Sequence, residues 1–202
     1  MESIRGKHAM CVDAATLTRH LAGYPHILVD LGTGDGRYVR HVATRSPGTF
    51  AIGIDLCVAN MREASRRAPA NTLFLIARAH ALPAELQGLA THLTINFPWG
   101  DLLTGLLGPD TRLPDGLAAL LRPGGLLEIR LNGGAVAEVG STLGRAGAAV
   151  GHGLWNAGFR VEPPRLLDAR ELRACPTTWA HRLAFGRDPC ALYIRAMRRT
   201  DR

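Results

Sequence analysis

The chain has 202 residues, 47% hydrophobic and 20% charged, a composition that predicts a single globular domain over 1–202 with a substantial core. No apolar run reaches the length of a membrane-spanning helix, and the N-terminus, with Glu2, Arg5, Lys7 and His8 among few apolar residues, lacks a signal-peptide core, so a cytoplasmic protein without a membrane partner is expected. The net charge of +7 favours an anionic partner.

The first predicted strand, His26-Ile27-Leu28-Val29, runs into Asp30-Leu31-Gly32-Thr33-Gly34-Asp35-Gly36-Arg37, and helical spacing of apolar residues follows over Tyr38 to Ala43. Glycines at such a turn let the backbone come close to a ligand. A second strand, Phe50 to Asp55, ends in an acid about 20 residues downstream, where a carboxylate accepts hydrogen bonds from ribose hydroxyls. Dinucleotide sites use G-x-G-x-x-G, whereas this loop is G-x-G-x-G with Asp30 before it and Asp35 inside it. Those acids repel phosphate but suit S-adenosyl-L-methionine, which carries a sulfonium and an ammonium group. The pattern resembles motif I of the class I methyltransferases, which implies Asp30 near the methionine amine, Gly32, Thr33 and Gly34 along the cofactor, and Asp55 on the ribose.

Strand and helix signals go on alternating. A helix over Ala59 to Arg67 carries Arg62, Arg66 and Arg67 on its polar side; strands are expected over Thr72 to Ala77 and Ala90 to Phe97, and a helix over Pro114 to Leu121. The turn Arg122-Pro123-Gly124-Gly125 hands over to a strand at Leu126 to Leu131, also as in class I methyltransferases. One or two helices are expected within Ala135 to Ala157, a strand from Gly158 to Val161, a short helix in Thr177 to Arg187, and a closing strand from Cys190 to Arg195. The expected fold is α/β, Rossmann-like, with a seven-stranded mostly parallel sheet.

From Arg160 to Arg202 ten basic residues stand against five acidic ones, either a nucleic-acid face or a solvated surface with salt bridges. The four cysteines, Cys11, Cys57, Cys175 and Cys190, are far apart, form no C-x-x-C pair, and read as reduced structural thiols with no metal site.

The Ala90 to Phe97 strand runs into Asn96-Phe97-Pro98-Trp99-Gly100-Asp101, at the carboxyl end of the sheet, where open α/β folds bind ligands. This run is similar to the Asn/Asp-Pro-Pro-aromatic motif of amino-group methyltransferases, with Phe97 in place of the first proline. Trp179, among polar neighbours, is the candidate second wall, with Trp99, for a flipped base; Trp155 has ordinary amphipathic-helix surroundings and reads as core. Together the runs Asn96 to Gly100, Trp179 to Arg187 and Leu82 to Leu86 resemble the aminoglycoside-resistance methyltransferases that modify N1 of adenine-1408 in 16S ribosomal RNA, a likeness extending from about Asp30 to Arg187.

That resemblance implies a cofactor site made of Asp30, Gly32, Asp55, Ala79, His80, and Asn96, Phe97, Pro98 and Trp99 at the methyl-transfer end. Thr177 matches a small hydroxyl residue close to cofactor and base, and Trp99 and Trp179 the pair that holds the flipped adenine. Arg66, Arg67 and Arg187 match basic residues on the RNA-docking surface, while Pro189 stands where a relative has another basic residue. The implied partner is 16S rRNA within the 30S subunit, met by a monomer. Adenine N1 has a free lone pair at neutral pH, so no general base is expected. Two other readings share the fold: a transfer-RNA guanine-N7 methyltransferase and an RNA-binding module that transfers nothing.

Overall fold

The computed structural model describes residues 1–186 and 190–200. In chain order the elements are β1 (Glu2–Arg5), β2 (His8–Cys11), α1 (Ala14–Leu21), β3 (His26–Leu31), α2 (Arg37–Arg45), β4 (Thr49–Asp55), α3 (Val58–Arg66), β5 (Thr72–Ile76), β6 (Ala90–Asn96), α4 (Gly100–Leu107), α5 (Arg112–Leu120), β7 (Leu121–Asn132), α6 (Gly133–Glu138), α7 (Leu143–Asn156), β8 (Phe159–Val161), β9 (Arg165–Leu166), α8 (Ala169–Ala174), α9 (Thr178–Ala184) and β10 (Ala191–Arg198). The sheet order is β2-β1-β5-β4-β3-β6-β7-β10-β8, with β9 beside β10. Strands β5 to β7 along this order are parallel, and β10 runs antiparallel to both β7 and β8. The expected seven strands are there, from β5 to β8, and the hairpin β1–β2 extends the sheet past β5.

Both faces of the central strands are buried, as a parallel sheet between helices requires. Ile27, Val29 and Leu31 of β3 and Phe50, Ile52 and Ile54 of β4 face the larger core with Leu103, Leu117 and Val150 of α4, α5 and α7. The alternate residues Leu28 and Ala51 face Val39 and Met61 of α2 and α3. A third cluster, Phe97, Leu167, Leu172, Cys175, Ala180 and Ala191, anchors α8 and α9 beside the carboxyl ends of the strands. No helix among the described residues is long and apolar enough to cross a membrane.

Several sequence expectations change. Trp155 is not core: it is 58% exposed, with the Arg199 guanidinium 4.7 Å from its ring. The buried stripe of α7 is Ala146, Val150 and Leu154, spaced four apart, and Trp155 sits 100° beyond its edge. The Arg122 to Gly125 turn lies inside β7, where the pairing jumps from Ala90 with Leu121 to His92 with Leu126 and Gly124 takes a φ of +77°. Three of the C-terminal arginines are engaged within the fold. Arg165 pairs with Glu171 at 2.6 Å and Arg195 with Glu162 at 3.1 Å, while Arg199 donates to the Phe159 and Trp155 carbonyls. The β1–β2 hairpin, α1, α4, β9 and α8 carry no clear sequence signal, since they are short, polar or, in α4, interrupted by Gly105.

Candidate active site

The loop after β3 crosses the end of β4, with the Gly32 and Thr33 amides donating to the Ile54 carbonyl at 2.8 and 3.0 Å. Gly32, Gly34 and Gly36 all have positive φ, at +72°, +55° and +66°. At Gly36 a Cβ would lie 2.5 Å from the Phe74 ring, so packing as well as backbone demands glycine. At Gly34 a Cβ would meet nothing within 4 Å: the loop is bare toward the cavity. Asp55 braces it, accepting from the Gly34 amide on one oxygen and the Cys57 amide on the other, both at 2.8 Å. Each carboxylate oxygen keeps a second lone pair for a hydroxyl donor.

Asp30, at the carboxyl end of β3, is fully buried. Its Oδ1 accepts from Thr94 Oγ1 at 2.7 Å and from Asn96 Nδ2 at 2.9 Å. Burial pushes its carboxyl up to about 6, although both hydrogen bonds and the charge of Arg130 pull the other way. Asn96 is oriented in turn by Arg130 Nη1, which donates to its Oδ1 at 2.9 Å. The next residue, Phe97, has a φ of +54°, rare for a side chain of its size. Its amide donates to the Arg130 carbonyl at 2.7 Å and its ring fills the third core cluster, so the chain reverses sharply there and presents Pro98 and Trp99 to the cavity.

The loop, Asp30, Asp55 and the Asn96 to Trp99 run line one cavity of about 580 Å³, a volume in the range of cofactor sites. Asp30, Gly32, Thr33, Gly34, Asp55, Ala79, His80, Asn96, Phe97, Pro98, Trp99, Thr177 and Trp179, residues spread over most of the chain, meet there. Among the described residues, the carboxylates of Asp30, Asp35, Asp55 and Asp101 line it. Such a wall suits a cationic ligand and opposes a pyrophosphate. The bare backbone at Gly34, the buried acid at one end and the acid at the ribose position fit S-adenosylmethionine.

Thr177 caps α9, its Oγ1 accepting from the Ala180 amide at 3.0 Å. Trp99 is half-buried against the larger core and its Nε1 has no hydrogen-bond partner among the described residues; Trp179 is 36% exposed. The two rings are brought together as expected, but against each other, with centroids 5.0 Å apart and planes at 33°. A base between two flat walls needs about 7 Å, two stacking distances, so the walls must part to admit one. The Arg182 guanidinium rests 5.1 Å from the Trp179 ring.

Arg66 and Arg67 lie outside the cavity, exposed at the end of α3, and both pair with Glu63, at 2.9 and 3.2 Å. The turn of the β1–β2 hairpin is tied beside them by the Gly6 amide, which donates to Ser65 Oγ at 2.9 Å. Arg187 and Pro189 lie outside the described residues. Asp35, Leu56, Thr178 and Arg182 also line the cavity, and none of them carries a site role in the sequence. Asp35 was visible in the loop only as a charge, and Thr178 and Arg182 only as neighbours of Trp179.

With this geometry in view, the comparisons with known proteins are specific. The family model described as NpmA: 16S rRNA (adenine(1408)-N(1))-methyltransferase matches residues 2–198. A 16S rRNA (adenine(1408)-N(1))-methyltransferase of Streptoalloteichus hindustanus is 32% identical over 93% of this chain and 94% of its own length. The enzyme of the same description from Escherichia coli is 29% identical over 91% and 92%. Among solved structures, the 16S rRNA methyltransferase KamB superposes with a TM-score of 0.89 at 28% identity, covering 98% of this chain and all of that one. A tryptophan-to-alanine mutant of the Catenulisporales acidiphilia enzyme, solved with its cosubstrate SAM, superposes at 0.86 with 26% identity, covering 100% and 98%.

Proposed function

The chain belongs to the 16S rRNA (adenine(1408)-N(1))-methyltransferase family, and from that membership we propose a role for each group around its cavity. The protein transfers a methyl group from S-adenosylmethionine to N1 of adenine-1408 in 16S rRNA, the modification that confers aminoglycoside resistance. Neither the transfer-RNA reading nor the non-catalytic module is retained.

When bound, S-adenosylmethionine supplies an electrophilic methyl group on a sulfonium. Asp30 binds the ammonium end, Asp55 takes ribose hydroxyls, and Gly32, Thr33 and Gly34 run alongside. Ala79 and His80 flank the adenine moiety of the cofactor. Asn96 to Trp99 form the wall at the methyl-transfer end, and Thr177 fixes the start of α9 against it. Trp99 and Trp179 part to receive the flipped adenine and hold it between their faces, each worth roughly 1–3 kcal/mol of stacking. Adenine N1 would accept the methyl group on its own lone pair, the sulfonium leaving as a neutral thioether, so no side chain need remove a proton first. Positioning nucleophile and methyl in line supplies about 7–11 kcal/mol of the acceleration, and the ring faces stabilise the positive charge that develops on the base.

Arg66, Arg67 and Arg187 contact phosphates, which position the enzyme without reading sequence. Selection of one adenine then depends on the folded shape of the RNA, so the substrate is the assembled 30S subunit, met by a monomer of one domain in the cytoplasm. The observation that carries this reading is the convergence on one cavity of a glycine loop braced by acids and two facing tryptophans. The test is incubation with 30S subunits and methyl-labelled S-adenosylmethionine, followed by reverse transcription across the decoding-site helix. A cofactor-dependent stop at adenine-1408 is expected, because an N1 methyl blocks Watson–Crick pairing. Label absent from 30S subunits but present in transfer RNA would overturn the reading.

A further inference from the structure

Between the cofactor loop and α9 there is one direct hydrogen bond that neither element needs for its own fold. Thr178 Oγ1 donates to Asp35 Oδ2 at 2.5 Å, joining residues 143 apart in sequence. Asp35 sits between Gly34 and Gly36 at the rim of the cavity, and its other oxygen accepts from the Arg37 amide at 3.2 Å, which points the carboxylate toward α9. Thr178 is the first residue of α9, flanked by the cap Thr177 and by Trp179. Capping of α9 is already supplied by Thr177, so the Thr178 hydroxyl is not required there.

We propose that Asp35 and Thr178 are positioning residues for methyl transfer, forming a strut that ties the base-holding helix to the cofactor loop. A continuous path links the two ligand sites: Asp55 accepts from the Gly34 amide, Asp35 follows in the chain, and Thr178 carries Trp179. Trp179 touches the rest of the slot through the Trp99 ring, and these rings must separate before a base can enter. Once they part, that ring contact no longer restrains Trp179, and the strut still holds the start of α9 at a set distance from the loop. It acts on where the adenine is held relative to the methyl donor, not on how tightly the donor binds.

The inference rests on Trp99 and Trp179 holding the target base, so the experiment includes Trp179→Ala as a reference. Methylation of 30S subunits is measured for the wild type, Thr178→Val, Thr178→Ser, Asp35→Ala and the double variant Asp35→Ala/Thr178→Val, with cofactor affinity by calorimetry and melting temperature alongside. Thr178→Val removes the hydroxyl while keeping the shape. It is expected to lower kcat about tenfold, the effect of one hydrogen bond to a charged group, with cofactor affinity and melting temperature unchanged. Thr178→Ser restores turnover, and the double variant is no slower than Asp35→Ala alone, because both remove the same bond. Wild-type kcat in Thr178→Val, or additive losses in the double variant, would overturn the strut. If Trp179→Ala is also fully active, the base-holding reading itself falls; if Trp179→Ala is impaired and Thr178→Val is not, the strut alone does.

Discussion

Two carboxylates on the sheet, Asp30 and Glu128, stand on either side of Asn96 and Arg130 and behave in opposite ways. Asp30 is fully buried, and its burial pushes it up to about 6. Burial works against ionising Glu128 too, yet hydrogen bonds with His92 and Tyr193 and the charge of Arg130 hold it down at about 2. His92 Nε2 lies 2.8 Å from Glu128 Oε2, the Tyr193 hydroxyl donates to Oε1, and Arg130 approaches to 3.7 Å. Arg130, between the two acids, gives Nη1 to Asn96 and through it orients Asp30. Glu128 lines a second cavity of about 420 Å³ together with Arg165 and Glu171, a cation and an anion that neutralise each other. One acid is therefore satisfied by the protein, and the other is under-compensated at the wall of the larger cavity. A buried charge that lowers stability marks the functional site; a buried charge fully paired marks the scaffold.

The largest effect that would sharpen this contrast comes from the paired acid. Glu128→Ala should lower stability by about 3–5 kcal/mol, because it leaves Arg130 buried without its partner. Urea unfolding measures it, and a loss below 1 kcal/mol would mean that Glu128 is not a structural acid. As pH falls from 4.5 toward 2, the stability that Glu128 contributes should disappear, since its folded-state value is the lower one.

Trp179→Ala, in the ligand-facing region, should reduce turnover on 30S subunits by ten- to a hundredfold, equivalent to roughly 1–3 kcal/mol of lost stacking. Its stability should hardly move, because Trp179 is 36% exposed. Trp99→Ala should cut turnover similarly and also cost stability, since Trp99 packs on the larger core.

Asp30→Asn should act in two directions. Both native hydrogen bonds end on Oδ1, and an amide oxygen can accept the same pair. The native state protonates Asp30 near pH 6 and the unfolded chain near 3.8, so the wild type is penalised above pH 6 by an amount on the order of 3 kcal/mol that fades as pH falls toward 4. The variant should therefore melt higher than wild type at pH 7.5, with the gap closing near pH 4, while cofactor affinity falls about tenfold. A variant that melts lower than wild type at pH 7.5 would erase the contrast between the two acids. The smallest effect is expected of Arg67→Ala: a loss of a few-fold in 30S affinity and a salt slope shallower by about 1, with cofactor binding unchanged. An unchanged slope would take Arg67 off the docking surface.

The parts of the site that were legible in the sequence are those built from consecutive residues. Asp30, Gly32, Gly34 and Asp55 could be read because a strand, a tight turn and a helix impose their spacing directly, and the parallel pairing of β3 with β4 places Asp30 beside Gly53, near Asp55. Asn96 to Trp99 could be read because a strand running into proline and an aromatic residue is similar to a motif of known methyltransferases, although Trp99 alone would read equally as core. Trp155 misled because one residue's step around a helix separates core from solvent, and only the packing of α7 locates that boundary. The excess of C-terminal arginine left two readings open for a related reason: composition counts charges, but not the acids and carbonyls that the fold brings against Arg165, Arg195 and Arg199.

By itself the sequence determined the fold class, and it marked a glycine loop and two tryptophans as candidates for the site, since local spacing and residue chemistry reach that far. Only the tertiary structure decided that the tryptophans touch, that Asn96 and Arg130 link Asp30 to a second polar centre, and that Asp35 reaches Thr178. These contacts join residues tens to more than a hundred positions apart, and sequence spacing carries no information about distance once the chain has turned back through the sheet.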